Sequence, residues 1–300
     1  MNSPSPPSWR VAPNPSLVFI ALLNTATTAM AIDLKPLWDF NKPEVSEARF
    51  RAALKTAAGD DALVLQTQIA RTYGLRKEFA KARDILQSIA KDVSTASHEA
   101  QVRYAIELGR TYASAVHSAE LVTPEAKSRA RASYLSALEI AKTAHLDGLA
   151  IDAIHMLAFV DTSPTDQLKW GQQALAVVEG SSQQDAKAWE ASIRNNIGYA
   201  LHQLERYEEA LVQFKQALVL RKRGTNEESI RVAHWMVAWT LRSLGQTNEA
   251  LEIQLRLERE CDAAKAPDRY VYEELESLYR VLGNEALTTH YAKLKASLPS

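Results

Sequence analysis

From Pro43 onward, apolar residues recur every three or four positions, which is the period of a helix with one buried face. One segment carries a small residue directly after a large one, and the next carries a small residue four positions before an aromatic. The clearest copies are Ile197-Gly198-x-x-Leu201 with Ala210-x-x-x-Phe214, and Leu108-Gly109-x-x-Tyr112 with Ala130-x-x-x-Tyr134. Because small residues let two helices cross closely, the pattern predicts antiparallel helical hairpins, with Gly198 facing Ala210.

Weaker copies extend the hairpins along most of the chain. They are Ile69-Ala70-x-x-Tyr73 with Ala82-x-x-x-Leu86, Val237-Ala238-x-x-Leu241 with Ala250, the pair Leu157-Ala158, and the pair Leu275 and Tyr279. One hairpin cannot bury its apolar face alone, so neighbouring hairpins stack around a continuous core. We therefore predict an all-α fold of about five to six hairpins. A lone helix at about 44–57 should cap one end, and a final helix at about 285–297 the other.

Several residues mark the ends of the predicted helices. Thr123-Pro124 and Ser163-Pro164 are signals for the start of a helix, because proline suits the first helical position. Gly180 and the two serines after it should end one. Gly245 and Gly283 fall at bends inside hairpins, where we expect a positive φ.

The repeated pattern resembles the tetratricopeptide repeat (TPR) family, whose signature places L-G-x-x-Y on the first helix of a hairpin and A-x-x-x-F on the second. The resemblance covers about residues 44–297 and is strongest over 63–96 and 191–224. It implies a right-handed α-solenoid, a TPR-like superhelix, and a function in binding a protein or peptide without catalysis.

Three features depart from the family pattern. Ala210 and Ala250 lie 40 positions apart, whereas the family period is about 34 residues. Residues Ser114–Leu121 interrupt one copy, and Gln254 stands where an aromatic is usual. Longer helices or linkers would account for the spacing, so the resemblance is to a bacterial-type TPR protein with extended repeats of about 40 residues. HEAT-type repeats have a similar period but lack this Gly/Ala spacing, and they are the second choice.

The resemblance implies that the first helices line a concave groove with two rows of inner, exposed positions. The rows are Arg71, Arg110, Phe159, Tyr199, Trp239 and Ser277, and Thr67, Ile106, His155, Asn195, Trp235 and Glu273, with Arg103, His202 and Arg242 nearby. Arginine binds carboxylates through paired hydrogen bonds, and Tyr and Trp dominate binding hot spots. The candidate partner-binding groove consists of Arg71, Arg103, Arg110, His155, Phe159, Asn195, Tyr199, His202, Trp235, Trp239 and Arg242.

Other interpretations of these residues stay open. The tryptophans can be packing of the groove wall, and the arginines a solvated face or ion pairs with Glu107. Some TPR modules hold a chaperone's C-terminal carboxylate with a Lys/Asn clamp. This chain has Thr67 and Arg71 at the clamp positions, so that function is not carried over.

Composition narrows the classes of function. Lys+Arg number 35 and Asp+Glu 36, a net charge of −1, which argues against a strongly basic nucleic-acid binder. The single cysteine, Cys261, excludes an intramolecular disulfide and a cysteine-built zinc site. No histidine pair has helical spacing and no nucleotide or hydrolase motif occurs, so we expect no catalytic residue, metal or cofactor.

Two rival functions remain. One is a regulatory sensor domain whose superhelix closes around a signalling peptide or small ligand. The other is an enzyme built as a helical toroid, for which the acidic run Glu273-Glu274-x-Glu276 could supply a carboxylate pair. Because charge runs on helices are usually a solvated face, the enzyme ranks below the binding module.

Residues 1–31 differ from the rest, with no acidic residue, an apolar run at 17–23 and the pattern Ala29-Met30-Ala31. They resemble a secretory signal peptide cleaved after Ala31, or else a non-native extension before a start at Met30. The run is too short to span a bilayer. We expect a disordered leader, a single soluble TPR-like domain over 32–300, and a cytoplasmic protein, exported to the periplasm if the leader is a signal peptide.

Overall fold

The computed structural model describes residues 32–298, and the predicted leader at 1–31 lies outside the described residues. The described part is all-α, as predicted. Its α-helices are α1 Pro43–Leu54, α2 Gly59–Leu75, α3 Phe79–Val93, α4 His98–Arg110, α5 Pro124–Thr143, α6 Asp147–Val160, α7 Pro164–Gly180, α8 Gln184–Lys187, α9 Glu190–Gln203, α10 Tyr207–Arg221, α11 Glu227–Ser243, α12 Thr247–Ala263, α13 Arg269–Val281 and α14 Glu285–Ser297. Within this range, no helix is both long enough and apolar enough to cross a membrane.

Consecutive helices pack in pairs. Over residues 32–298 the hairpins are α2–α3, α4–α5, α6–α7, α9–α10, α11–α12 and α13–α14. Helix α1 packs against α2 at one end, and α14 packs against α13 at the other. The largest buried apolar cluster runs from Val102 in α4 to Leu278 in α13, so successive hairpins share one core. The predicted stack of hairpins is confirmed.

The bends of four hairpins, α2–α3, α9–α10, α11–α12 and α13–α14, use a left-handed residue. Gly245 and Gly283 have φ of 74° and 71°, as predicted. Lys77 and Glu205 adopt the same conformation without glycine, at 64° and 58°. In each bend, an amide beyond the left-handed residue reaches back to the last helical turn; the Gln246 amide, for example, donates to the carbonyl oxygen of Leu241 at 2.9 Å. This hydrogen bond ends one helix and directs the chain into the next.

The small residues at helix crossings face aromatic rings. A Cβ on Gly198 would lie 2.8 Å from Cε1 of Phe214, and one on Gly109 would lie 2.5 Å from Cε1 of Tyr134. The prediction that Gly198 faces Ala210 left out the ring of Phe214, whose atoms lie nearest to a Cβ on Gly198. The glycine makes room for the ring at the end of the A-x-x-x-F pattern, because the ring projects across the first helix of its hairpin.

Two irregular segments bring side chains to the first helices. The segment after α4 ends at Thr123, whose Oγ1 accepts a hydrogen bond from the Ala126 amide, and Pro124 opens α5 as predicted. It is held in place by Arg83, which donates to the carbonyl oxygen of Thr111 at 3.0 Å, and by stacking of Phe79 on His117. The second segment, after α7, contains the single-turn helix α8 and carries Trp189 toward α6.

Candidate binding groove

The first helices of the hairpins, α2, α4, α6, α9, α11 and α13, form what we call the first-helix face. Two adjoining cavities open between them. The α6–α9 cavity, of about 310 Å³, is lined by residues of α6, α7 and α9, and the α2–α6 cavity, of about 240 Å³, by residues of α2, α4, α6 and the segment after α4. His155 and Phe159 line both, with their rings edge to face and the centroids 5.0 Å apart.

Four charged side chains lie together at the α2–α6 cavity. Arg110 donates to Glu107 Oε1 and to Asp152 Oδ1, each at 2.5 Å. Arg71 is a looser neighbour, with Nη1 3.8 Å from Glu107 Oε1. The side chain of Arg110 is 13% exposed and that of Glu107 only 4%. The ion-pair interpretation therefore describes Arg110, whose positive charge is balanced by carboxylates from α4 and α6.

The protonation states of this cluster follow from burial and from its own charges. Burial alone would raise the pKa of Asp152, but Arg110 and Arg71 outweigh it and hold that pKa below its usual value. Burial lowers the pKa of His155, although Asp152 opposes the change, so the ring is neutral near pH 7. Burial also lowers the pKa of Arg71, with a smaller contribution from Arg110. The cluster therefore sets two arginines, Arg71 and Arg110, against two carboxylates.

The N-terminal part of the described chain lies over Arg71. The rings of Trp38 and Phe40 stack with centroids 4.5 Å apart, and the Arg71 guanidinium lies 5.3 Å and 5.2 Å from them. Trp38 Nε1 donates to Gln68 Oε1 at 3.2 Å. The segment before α1 thus packs against Arg71, which lines the α2–α6 cavity. In the sequence, the only sign of this contact is that Trp38 and Phe40 are aromatic.

A line of stacked rings continues on α9, α11 and the start of α13. We call Tyr199, Trp239, Trp235 and Tyr270 the aromatic ladder. Successive centroids are 6.0, 5.6 and 6.3 Å apart. Tyr199 is 42% exposed and Tyr270 is 64% exposed, so ring faces are open to a partner. The prediction that Tyr199 and Trp239 lie on the same side is confirmed.

The remaining predicted residues are held by neighbours. Arg103 donates to Glu99 at 2.8 Å, and Arg242 makes two hydrogen bonds of 2.8 Å to Glu274. His202 stacks on Trp239 with centroids 3.4 Å apart, and burial, assisted by Arg242, lowers its pKa to about 4. Asn195 lines the α6–α9 cavity.

Two row positions that were expected to be exposed are buried. Thr67 is 0% exposed and Ile106 is 1% exposed. The reason is that α2 and α4 pack directly against each other, so this row turns into the core at the N-terminal hairpins.

Sequence reasoning missed two residues of the site. Asp152 precedes His155 by three residues on α6, so helical spacing places it on the same face and could have revealed it. Trp189 tilts against His155 with centroids 5.4 Å apart, but it lies between helices, where no periodicity applies.

Most of the side chains considered for catalysis or metal binding form ion pairs with other residues or are buried. Glu274 binds Arg242, and Glu276 binds Lys295 and Arg280. Cys261 is buried, and burial raises the pKa of its thiol. Among residues 32–298, no three His, Cys, Asp or Glu side chains are grouped so that they could hold a metal ion.

Comparison with known proteins agrees with this architecture. The family profile described as "Tetratricopeptide repeat" matches residues 189–258. No curated protein matches the chain. Solved structures do: a Pyrococcus horikoshii signal transduction ATPase with numerous domains and a tetratricopeptide repeat sensor is 13% identical, with a TM-score of 0.66 over 85% of this chain. The chain spans 38% of the length of that protein.

Two further structures resemble the array. The apo form of RapI is 13% identical, with a TM-score of 0.66 over 87% of this chain and 72% of RapI. BtubC from P. vanneervenii is 14% identical, with a TM-score of 0.59 over 79% of this chain and 94% of BtubC. At these identities the likeness concerns the fold. The chain is an all-α, TPR-like helical repeat array in which residues 189–258 carry the tetratricopeptide repeat.

Proposed function

We propose that this protein is a non-catalytic binding module that holds a peptide or protein segment along the first-helix face. The observation that carries the proposal is the arrangement of the two adjoining cavities and the aromatic ladder on successive first helices. Tetratricopeptide repeat domains are generally protein-binding modules, and the repeat matched at 189–258 supports the same function.

The affinity would come from burial of aromatic surface. Tyr199 lines the α6–α9 cavity and also begins the ladder, so one ligand can contact both. Large, semi-rigid rings contribute contact area at a low cost in conformational entropy. Because the arginines of the face are largely paired, we expect shape and stacking to contribute more than net charge.

The proposal includes two finer points. Residues 32–300 would act as one repeat domain, which the shared core from Val102 to Leu278 supports. The repeats would be of the extended type. Helices α11 and α12 have 17 residues each, against 14 and 15 in α9 and α10, so helix length contributes to the wide spacing.

The test is a selection of random heptapeptides displayed on phage against the immobilised full-length chain. Binding of the selected peptides is then measured for Phe159→Ala and Trp239→Ala. Loss of a hot-spot ring should weaken binding about tenfold or more. The control is Val219→Ala, which removes an exposed apolar side chain from the second helix α10.

Circular dichroism must show that each variant is folded. Unchanged affinity in both groove variants, or an equal loss in the Val219→Ala control, would contradict the proposal.

The two cavities favour a second candidate, a sensor domain that encloses a small ligand or short signalling peptide. Ligand pockets are mostly apolar with a few polar groups, as here, and typically span about 300–1,000 Å³. Small-angle scattering separates the candidates, because a sensor should become more compact when a selected heptapeptide binds, whereas a preformed module should keep its radius of gyration.

A further inference from the structure

The α2–α6 cavity holds unused hydrogen-bonding capacity of both kinds. Glu107 Oε2 is buried and has no hydrogen-bond partner in the described part of the chain. Arg71 lines the same cavity, and its guanidinium, with five possible donors, makes no hydrogen bond to residues 32–298. Buried polar groups are normally hydrogen-bonded, and leaving a carboxylate oxygen without a partner is unfavourable. The cavity therefore lacks a group that both accepts and donates.

The charge balance of the cavity restricts what that group can be. Arg71 and Arg110 are matched by Glu107 and Asp152, with Arg110 bound to both carboxylates. Burying an unmatched charge in a low-dielectric site is costly. A bound carboxylate or ammonium would leave the site with one unmatched charge, whereas a neutral polar group would leave it balanced.

We propose, on the basis of the peptide-binding function above, that the α2–α6 cavity is a subsite for a neutral carboxamide, the side chain of Gln or Asn in the bound peptide. The carboxamide oxygen accepts from Arg71, and its N–H donates to Glu107 Oε2. One planar group thereby satisfies both side chains, whose charged groups come within 3.8 Å of each other at Arg71 Nη1 and Glu107 Oε1.

The rest of the cavity suits the stem of such a side chain. Met156, Phe159 and Trp189 contribute apolar surface, and a volume of about 240 Å³ is enough for one side chain. Across the wall formed by His155 and Phe159, Asn195 Oδ1 is also buried, with no hydrogen-bond partner among residues 32–298. It offers an acceptor for a backbone N–H where the peptide continues into the α6–α9 cavity.

The experiment repeats the heptapeptide phage selection with charge-altered variants and sequences the selected pools. The wild type should enrich Gln or Asn at one position. Glu107→Gln makes the cavity net positive, so that position should change to Glu or Asp. Arg71→Met makes it net negative and should favour Lys or Arg. The matched control is Glu99→Gln, a change on the same helix at a carboxylate that pairs with Arg103 outside the cavity, and it should keep the wild-type preference.

A synthetic peptide from the wild-type pool then provides the affinity test. Replacing its enriched Gln or Asn by Glu or by Met should weaken binding to the wild type about tenfold or more, since either leaves charges or polar groups unmatched. In Glu107→Gln the Glu analogue should bind more tightly than the parent. If Glu107→Gln does not fold, Arg71→Met carries the test, because the guanidinium it removes has its nearest carboxylate oxygen 3.8 Å away.

A wild-type pool enriched in acidic or basic residues, or in no carboxamide, would overturn the proposal. So would variants that keep the wild-type preference. Peptide binding that still depends on Phe159 and Trp239 in those cases would leave the binding function standing, so failure of the subsite and failure of the binding function give different results.

Discussion

The two ends of the first-helix face place different chemistry at equivalent positions of the repeat. In α2 and α4 the position is arginine, Arg71 and Arg110, and in α9 and α11 it is aromatic, Tyr199 and Trp239. Arg110 is buried between two carboxylates, whereas Tyr199 keeps 42% of its surface exposed while stacking on Trp239. We call the first region the charged section and set it against the aromatic ladder.

The difference follows from what each side chain requires. A charge taken out of water needs an opposite charge and hydrogen bonds, so the charged section is bound to itself and fixed in geometry. An aromatic ring needs only contact, so the ladder can stack along one edge and still offer a free face. The charged section is therefore suited to selectivity and the ladder to contact area.

The largest expected effect comes from Arg110→Met in the charged section. The substitution leaves Glu107 and Asp152 buried together without their shared cation, so the free energy of unfolding should fall by about 3–5 kcal/mol. Urea unfolding followed by circular dichroism measures it. The control is Arg129→Met, which breaks an exposed pair with Glu125 and should cost less than about 1 kcal/mol. Equal effects for the two arginines would remove the contrast between a buried and an exposed pair.

A smaller effect tests the scaffold that both regions share. Gly109→Ala and Gly198→Ala each place a Cβ within 3 Å of a buried ring, so each should cost about 1–3 kcal/mol. Gly74→Ala is the control, because its Cβ meets no atom within 4 Å and alanine favours the helix. If Gly109→Ala and Gly198→Ala are tolerated as well as Gly74→Ala, the ring contacts do not define the hairpins.

A change in α12, which packs against α11, should increase stability. Gln254 in α12 occupies the position where an aromatic is usual, and its buried amide has no partner among the described residues. Gln254→Met keeps the volume and removes the unpaired groups, so the free energy of unfolding should rise by about 1 kcal/mol. A lower urea midpoint would show that the amide is satisfied in solution.

A pH dependence is expected from His202, whose ring stacks on Trp239 of the ladder. The pKa of His202 in the folded protein is about 4, below the ordinary 6.5, because burial disfavours the charged ring. Between these values the unfolded chain binds a proton that the folded chain does not, so stability is complete above pH 6.5 and falls as the pH drops toward 4. The urea midpoint should fall less steeply in His202→Gln, and an identical slope would contradict the assignment.

The repeat pattern was sufficient for the hairpins, the start of α5 at Pro124 and the left-handed Gly245 and Gly283, because each depends on neighbours close in the chain. It was insufficient for the crossing contact, where the ring of Phe214 lies nearest to a Cβ on Gly198. Side-chain length decides that contact, and periodicity records only the face of the helix on which a residue lies.

The sequence predicted which positions line the candidate groove. The structure showed which of those side chains are buried, paired or exposed. Arg71 and Trp239 were identified from helix spacing, but the cover of Trp38 over Arg71 and the stacking of His202 on Trp239 join distant segments. Whether an arginine is free or paired depends on the atoms within a few ångströms of it, and those atoms come from elements far away in the sequence.

What followed from the amino-acid order alone is the local part of this protein: helices of the right period, small residues at their crossings, and polar or aromatic side chains on one face. The pairing of Arg110 with Asp152, the two cavities and the unpartnered oxygen of Glu107 were decided only when the hairpins stacked. The physical reason is range, since helix formation is governed within a few residues of the chain, while burial and ion pairing are governed by whatever the fold brings into contact.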